Sequence, residues 1–105
     1  MSNPVENKEE AIVRLTAASE ALAAFGVLGI GLFGSFVTGR QTPMSDVDIL
    51  VEFSPDKHSF DNFMDLAFFL EDLLGRKVEV VTMDALSPHI GPHILKEVER
   101  VALTA

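Results

Sequence analysis

Asp46 and Asp48 stand two residues apart, ten residues after the pair Gly34-Ser35. On an extended strand, side chains at i and i+2 share a face, with Cα atoms about 7 Å apart. Carboxylates placed this way can converge on one cation, or on two cations about 4 Å apart. Magnesium prefers such hard oxygen ligands and commonly shares them with substrate phosphates. Gly34-Ser35 follows an apolar run and opens a helical turn. A glycine there lets a phosphate approach the backbone, and the free N–H groups of the turn can bind anions. Ser35 adds a hydroxyl donor. Each element alone has a plain structural explanation: two acids on a solvated strand face, and an ordinary strand-to-helix turn. Together, at the ends of strands expected to be neighbours, they bring phosphates and metal ions within reach of one another.

Glu79 is a third acid with a position to explain. It sits in Lys77-Val78-Glu79-Val80-Val81, a strand otherwise apolar at its centre. A carboxylate in mid-strand is costly to bury without a partner. It reads either as a further metal ligand or base for an attacking hydroxyl, or as a residue facing water on an edge strand.

The elements that would position these groups follow from pattern. A helix is predicted from Pro4 to Phe25, with Asn3 as its N-cap and Ile12, Leu15, Ala18 or Ser19, and Leu22 inward. Gly26 stops it. Val27 to Phe33 reads as a short buried strand whose glycines predict another backbone packed close to it. A short helical segment runs from Ser35 to Thr38, and Gly39 to Ser45 is a loop. Asp46 to Phe53 is the clearest strand: Val47, Ile49, Val51 and Phe53 fall on one face, and Asp46, Asp48, Leu50 and Glu52 on the other. Ser59 caps a helix from Phe60 to Leu74, ended by Gly75, with Phe63, Leu66, Ala67, Leu70 and Leu74 on its apolar face. Phe60 is also expected in the core. One of Phe68 and Phe69 falls outside that face and is expected to meet a partner. Lys77 to Thr82 forms a third strand. A last helix is predicted from Pro92 to Ala102, with Ile94, Leu95, Val98 and Val101 inward. The order is that of an α/β (α+β) domain: a three-to-four-stranded mixed sheet with helices packed against it, one domain over residues 1–105.

Composition excludes several function classes. The net charge is −8, from sixteen acids against eight bases, and Arg76-Lys77 is the one adjacent basic pair. A polynucleotide-binding protein needs a basic stripe, so no polynucleotide is expected as the main ligand. The negative field suits divalent cations and a basic protein partner. The absence of cysteine excludes disulfides and thiolate metal sites and agrees with a cytoplasmic location. Ala21 to Val37 is apolar apart from Ser35, but its four glycines and acidic flank read as a helix end plus a strand, with no membrane span expected. His89 and His93 are four apart, yet Gly91 and Pro92 between them favour surface histidines over a zinc pair. His58 lies in a polar turn without an evident partner. Asp61, Asp65 and Asp72 form a solvated helix face.

The segments Gly34-Ser35-Phe36-Val37-Thr38-Gly39 and Ser45-Asp46-Val47-Asp48-Ile49-Leu50-Val51 resemble the minimal nucleotidyltransferase (MNT) family of the DNA polymerase β superfamily. The likeness extends along the chain, from the leading helix through Glu79 to the closing helix. It implies transfer of a nucleotide from a nucleoside triphosphate to a hydroxyl, with two Mg2+ ions. By resemblance, Asp46 and Asp48 bind the metals, and Glu79 takes the third carboxylate position and helps activate the acceptor. Gly34 and Ser35, with Gly39 and Arg40, hold the nucleotide. Many stand-alone relatives are antitoxins paired with an all-helical HEPN toxin. The implied reaction is AMP transfer from ATP to a toxin tyrosine within a hetero-oligomer. The chain departs from the family pattern in two places. Thr38 stands where relatives often carry arginine, with Arg40 two residues on, and Glu79 stands where the third acid is usually aspartate. These departures leave an alternative, in which an MNT-like fold neutralises its partner by contact alone.

Overall fold

The alternation of Val47, Ile49, Val51 and Phe53 with Asp48, Leu50 and Glu52 gives the fold its two faces. The computed structural model describes residues 2–104. In chain order the elements are α1 (Lys8–Ala17), α2 (Ser19–Ala24), β1 (Val27–Phe33), α3 (Ser35–Thr38), β2 (Val47–Phe53), α4 (Phe60–Leu74), β3 (Val78–Thr82), α5 (Gly91–Glu97) and β4 (Glu99–Arg100). One-turn 3-10 helices at Pro55–Lys57 and Met83–Ala85 join them. The strands form a single mixed sheet in the order β3-β2-β1-β4. β1 runs antiparallel to β2 and β4, and β2 runs parallel to β3. A parallel pair needs a crossover, and α4 supplies it.

One sheet face is dry. Ile30, Leu32, Val47, Ile49, Val51 and Phe53 pack there against Leu15 and Leu22 of α1 and α2 and Leu66, Leu70 and Leu74 of α4. The opposite face carries a smaller cluster, in which Phe33 and Leu50 meet Ile94 of α5. α4 matches its sequence signals at both ends. Ser59 Oγ accepts from the Asn62 amide at 3.2 Å, and Gly75 closes the helix at φ 69°.

The leading helix differs from expectation. It begins at Asn7, whose side chain accepts from the Glu10 amide at 2.9 Å, and not at Asn3. The backbone before it is engaged elsewhere: the Ser2 and Val5 amides donate to the Asp72 and Leu74 carbonyls at the end of α4, at 3.1 and 2.9 Å. Val5 is fully buried as a result. The helix also breaks at Ala18, where Ser19 Oγ donates to the Thr16 carbonyl at 2.6 Å.

The last helix is shorter than predicted. It stops at Glu97 because Val98 turns extended, and Glu99-Arg100 then pairs with the free edge of β1, Leu32 opposite Glu99 and Gly31 opposite Arg100. The glycine expectation is met here. A Cβ on Gly31 would stand 2.6 Å from Val98 Cγ2 and 3.1 Å from the Glu99 carbonyl oxygen. Two apolar assignments change, and a third is resolved. Leu95 faces solvent rather than the core, and so does Phe60, which is 75% exposed at the first turn of α4. Phe69 packs on Phe25 with ring centroids 5.4 Å apart, leaving Phe68 as the exposed member of that pair. His58 does find partners: its ring stacks on Phe53, and its Nδ1 lies 3.5 Å from Asp84 Oδ2. His89 and His93 are exposed, as are Asp61, Asp65 and Asp72. Among the described residues no helix is long and apolar enough to cross a membrane. The apolar run 21–37 is divided among α2, β1 and α3.

Candidate active site

Gly34 ends β1 and caps α3 at φ 77°, ψ −151°, a conformation open in practice only to glycine. The reason lies beside it. A Cβ at Gly34 would overlap Asp48 Oδ2, so the missing side chain lets the turn lie directly on the aspartate carboxylate. Register produces this contact: Phe33, the residue before Gly34, sits opposite Asp48 across the β1–β2 pair. The two halves of the sequence signature therefore meet through hydrogen-bonded strands.

The acids gather on the same side. Asp48 pairs in register with Glu79 on β3, a strand-to-strand separation of about 4.8 Å. Asp46 immediately precedes β2 and is exposed, Asp48 is half-buried, and Glu79 is exposed on an edge strand. Burial raises the Asp48 carboxyl to about 6, helped by the charge and hydrogen bonding of Glu79 and by the charges of Asp46 and Glu97. Glu97, at the end of α5, is thus a fourth acid near enough for its charge to bear on Asp48. Nothing in its local sequence announces it. The approach depends on where α5 is packed.

No base pairs with this cluster among the described residues. Among the described residues the ion pairs are Lys8–Glu99 and His58–Asp84, and neither includes Asp46, Asp48, Glu79 or Glu97. Neighbouring carboxylates without a paired base suit a hard divalent cation. Also among the described residues, no three acidic, histidine or cysteine side chains are drawn together tightly enough to hold a metal by themselves. A cation on Asp46 and Asp48 would complete its shell with water or phosphate oxygens, which is the usual habit of magnesium.

The remaining sequence-selected residues lie on α3 and its exit. The Val37 and Thr38 amides donate to the Gly34 carbonyl at 3.0 and 3.1 Å. The Ser35 and Phe36 amides lie at the helix start, where no intrahelical acceptor exists. Ser35 Oγ has no hydrogen bond among the described residues, and neither does the Arg40 guanidinium, which is exposed. Gly39 ends α3 at φ 79°, and the Arg40 amide closes the turn on the Ser35 carbonyl at 3.0 Å. Thr38 is exposed, with its hydroxyl 3.4 Å from the Ser35 carbonyl.

Comparison with known proteins agrees with this fold. The family model for the nucleotidyltransferase domain matches residues 15–101. The protein adenylyltransferase MntA of Thermococcus cleftensis is 44% identical over 85 residues, covering 80% of this chain and 85% of that protein. Among solved structures, a candidate minimal nucleotidyltransferase superposes with a TM-score of 0.78 at 29% identity, covering 90% of this chain and 95% of that one. A toxin–antitoxin structure with AMP-PNP superposes at 0.69 and 25% identity, covering 92% of this chain and 74% of that one. The four-stranded mixed sheet with its helices is the fold these proteins share.

Proposed function

We propose that this chain, which belongs to the nucleotidyltransferase domain family and is an enzyme of that type, transfers AMP from ATP to a tyrosine hydroxyl of a HEPN-type toxin and acts as its antitoxin. The observation that carries the reading is the contact of the Gly34 turn with the Asp48 carboxylate, which joins a phosphate-binding turn to an acid pair. Similarity to MntA supports adenylyl transfer to a protein, and the toxin–antitoxin structure with AMP-PNP supports the partner class and the nucleotide.

In the proposed reaction the tyrosine oxygen attacks the α-phosphorus of ATP and pyrophosphate leaves. Such transfers depend on in-line placement and charge neutralisation more than on covalent help from the protein. Gly34 and Ser35 hold the triphosphate at the start of α3, with Gly39 and Arg40 at its exit. Asp46 and Asp48 hold Mg2+, two ions in the full assembly. Bound there, magnesium offsets the charge that develops on the phosphates. Glu79, exposed and in register with Asp48, accepts the proton released by the tyrosine hydroxyl in this scheme. On this reading residues 1–105 are one catalytic domain working in the cytoplasm. The helical partner brings the acceptor, and the two form a hetero-oligomer.

The test incubates the protein with its helical partner, magnesium and labelled ATP, alongside Asp48→Asn. Label on the partner that disappears in the variant is the expected result. An unlabelled partner that the variant still neutralises would replace transfer with neutralisation by contact.

A further inference from the structure

Arg76 follows the glycine that ends α4, and its side chain reaches into the loop that leads to Asp46. Its Nε donates to the Val5 carbonyl at 2.6 Å. Its Nη1 lies 3.0, 3.2 and 3.0 Å from the carbonyls of Thr42, Pro43 and Ser45. Its guanidinium carbon stands 5.1 Å from the centroid of the Phe36 ring. Among the described residues Arg76 makes no ion pair. Its charge is met by carbonyl dipoles and an aromatic face instead.

The loop it grips is a small closed turn. The Thr42 amide donates to Ser45 Oγ at 2.9 Å, the Ser45 amide to the Thr42 carbonyl at 3.0 Å, and the Met44 amide to Thr42 Oγ1 at 3.2 Å. Three carbonyls of this turn converge on one point, an arrangement that repels itself unless a donor sits there. Arginine suits that point because its planar fork stays charged and carries several fixed N–H groups. The partners of Arg76 are adjacent to both halves of the site. Phe36 follows Ser35 and is buried, and Ser45 precedes Asp46. One side chain thus spans the phosphate turn and the metal pair without entering either.

We propose that Arg76 is a positioning residue for the reaction: it fixes the loop that aims Asp46 relative to the Ser35 turn. The inference rests on the reading given under Proposed function. The expected signature is a fall in kcat, about a hundredfold for a displacement near 1 Å, with the KM for the protein partner little changed. Lysine keeps the charge but not the fork, so Arg76→Lys should not restore kcat.

The experiment compares wild type, Arg76→Met and Arg76→Lys with Val5→Ala, a variant that loosens the same neighbourhood but keeps the Val5 carbonyl that accepts from Arg76 Nε. Amide exchange of residues 42–47 is read in the nucleotide-free protein, and kcat and KM are read with the partner and ATP. Expected are at least about tenfold faster exchange across 42–47 in both Arg76 variants, a kcat loss in both, and near-wild-type kcat in Val5→Ala. Unchanged exchange overturns the proposal, as does recovery of kcat in Arg76→Lys, or an equal kcat loss in Val5→Ala. If Arg76→Met does not fold, Arg76→Lys decides by the same readouts. An inactive wild type would overturn the transfer reaction instead, while the exchange measurement still decides whether Arg76 anchors the loop.

Discussion

The α-carbon of Gly34 rests against the carboxylate of Asp48, with no room between them for a Cβ. A turn after one strand and an acid on the next are thereby held as one unit, and most of the chemistry proposed for the chain depends on that contact.

Gly34→Ala and Gly39→Ala should behave differently, although both glycines have positive φ. Gly34 lies in a region of backbone space that costs other residues about 1–3 kcal/mol, and its new Cβ would also displace Asp48. Gly39 is in the ordinary left-handed region with nothing within 4 Å of a Cβ, so about 1 kcal/mol is expected. Urea denaturation and nucleotide titration with magnesium present check this. Gly39→Ala should retain nucleotide binding and Gly34→Ala should lose it. Equal behaviour of the two would deny the contact its importance.

The metal-free protein should gain stability when Asp48 is neutralised. The folded carboxyl titrates near 6, whereas an unfolded aspartate titrates near 3.9. The folded state therefore holds a proton that the unfolded chain releases between about pH 4 and pH 6. Stability falls as pH rises through that window and stays lower above it. Water reaches this half-buried side chain, so the effect is about 1 kcal/mol, well below the full linkage value. Asp48→Asn should match wild type at pH 4 and exceed it at pH 8. Added magnesium should raise the wild type and leave the variant unmoved. A difference that ignores pH would contradict the assignment of Asp48.

The adjacent phenylalanines of α4 should separate stability from association. Phe69 packs on Phe25, and its replacement by alanine should cost about 2 kcal/mol, less than a fully buried ring because it is half-buried. Phe68 is 58% exposed, and Phe68→Ala should stay within about 0.5 kcal/mol. If Phe68 meets the partner, its loss should weaken the complex while the isolated protein melts unchanged. Denaturant midpoints and partner titrations read the two effects independently.

What the sequence made legible was local. The faces of β2 follow from strict alternation, and α4 carries a serine cap, a glycine stop and an apolar stripe that agree with one another. The acid pair and the glycine turn are also local, so their types and spacing could be read directly. The missed features depend on distant partners. Glu99-Arg100 becomes a strand because β1 offers a free edge and Gly31 has no side chain in the way. The residues before Asn7 avoid helix because their amides find α4 carbonyls far along the chain. Glu97 and Arg76 look like surface charges in sequence. Tertiary packing brings the charge of one to bear on Asp48 and sets the other against the loop before Asp46.

The central claim is that AMP, and not a terminal phosphate, passes from ATP to the helical partner. The most direct test supplies ATP labelled at the α-phosphate in one reaction and at the γ-phosphate in another, with magnesium and the partner in both. The account predicts α-label on the partner and γ-label in free pyrophosphate, both abolished by Asp48→Asn. Label from the γ-phosphate on the partner, or a neutralised partner carrying neither label, would contradict it.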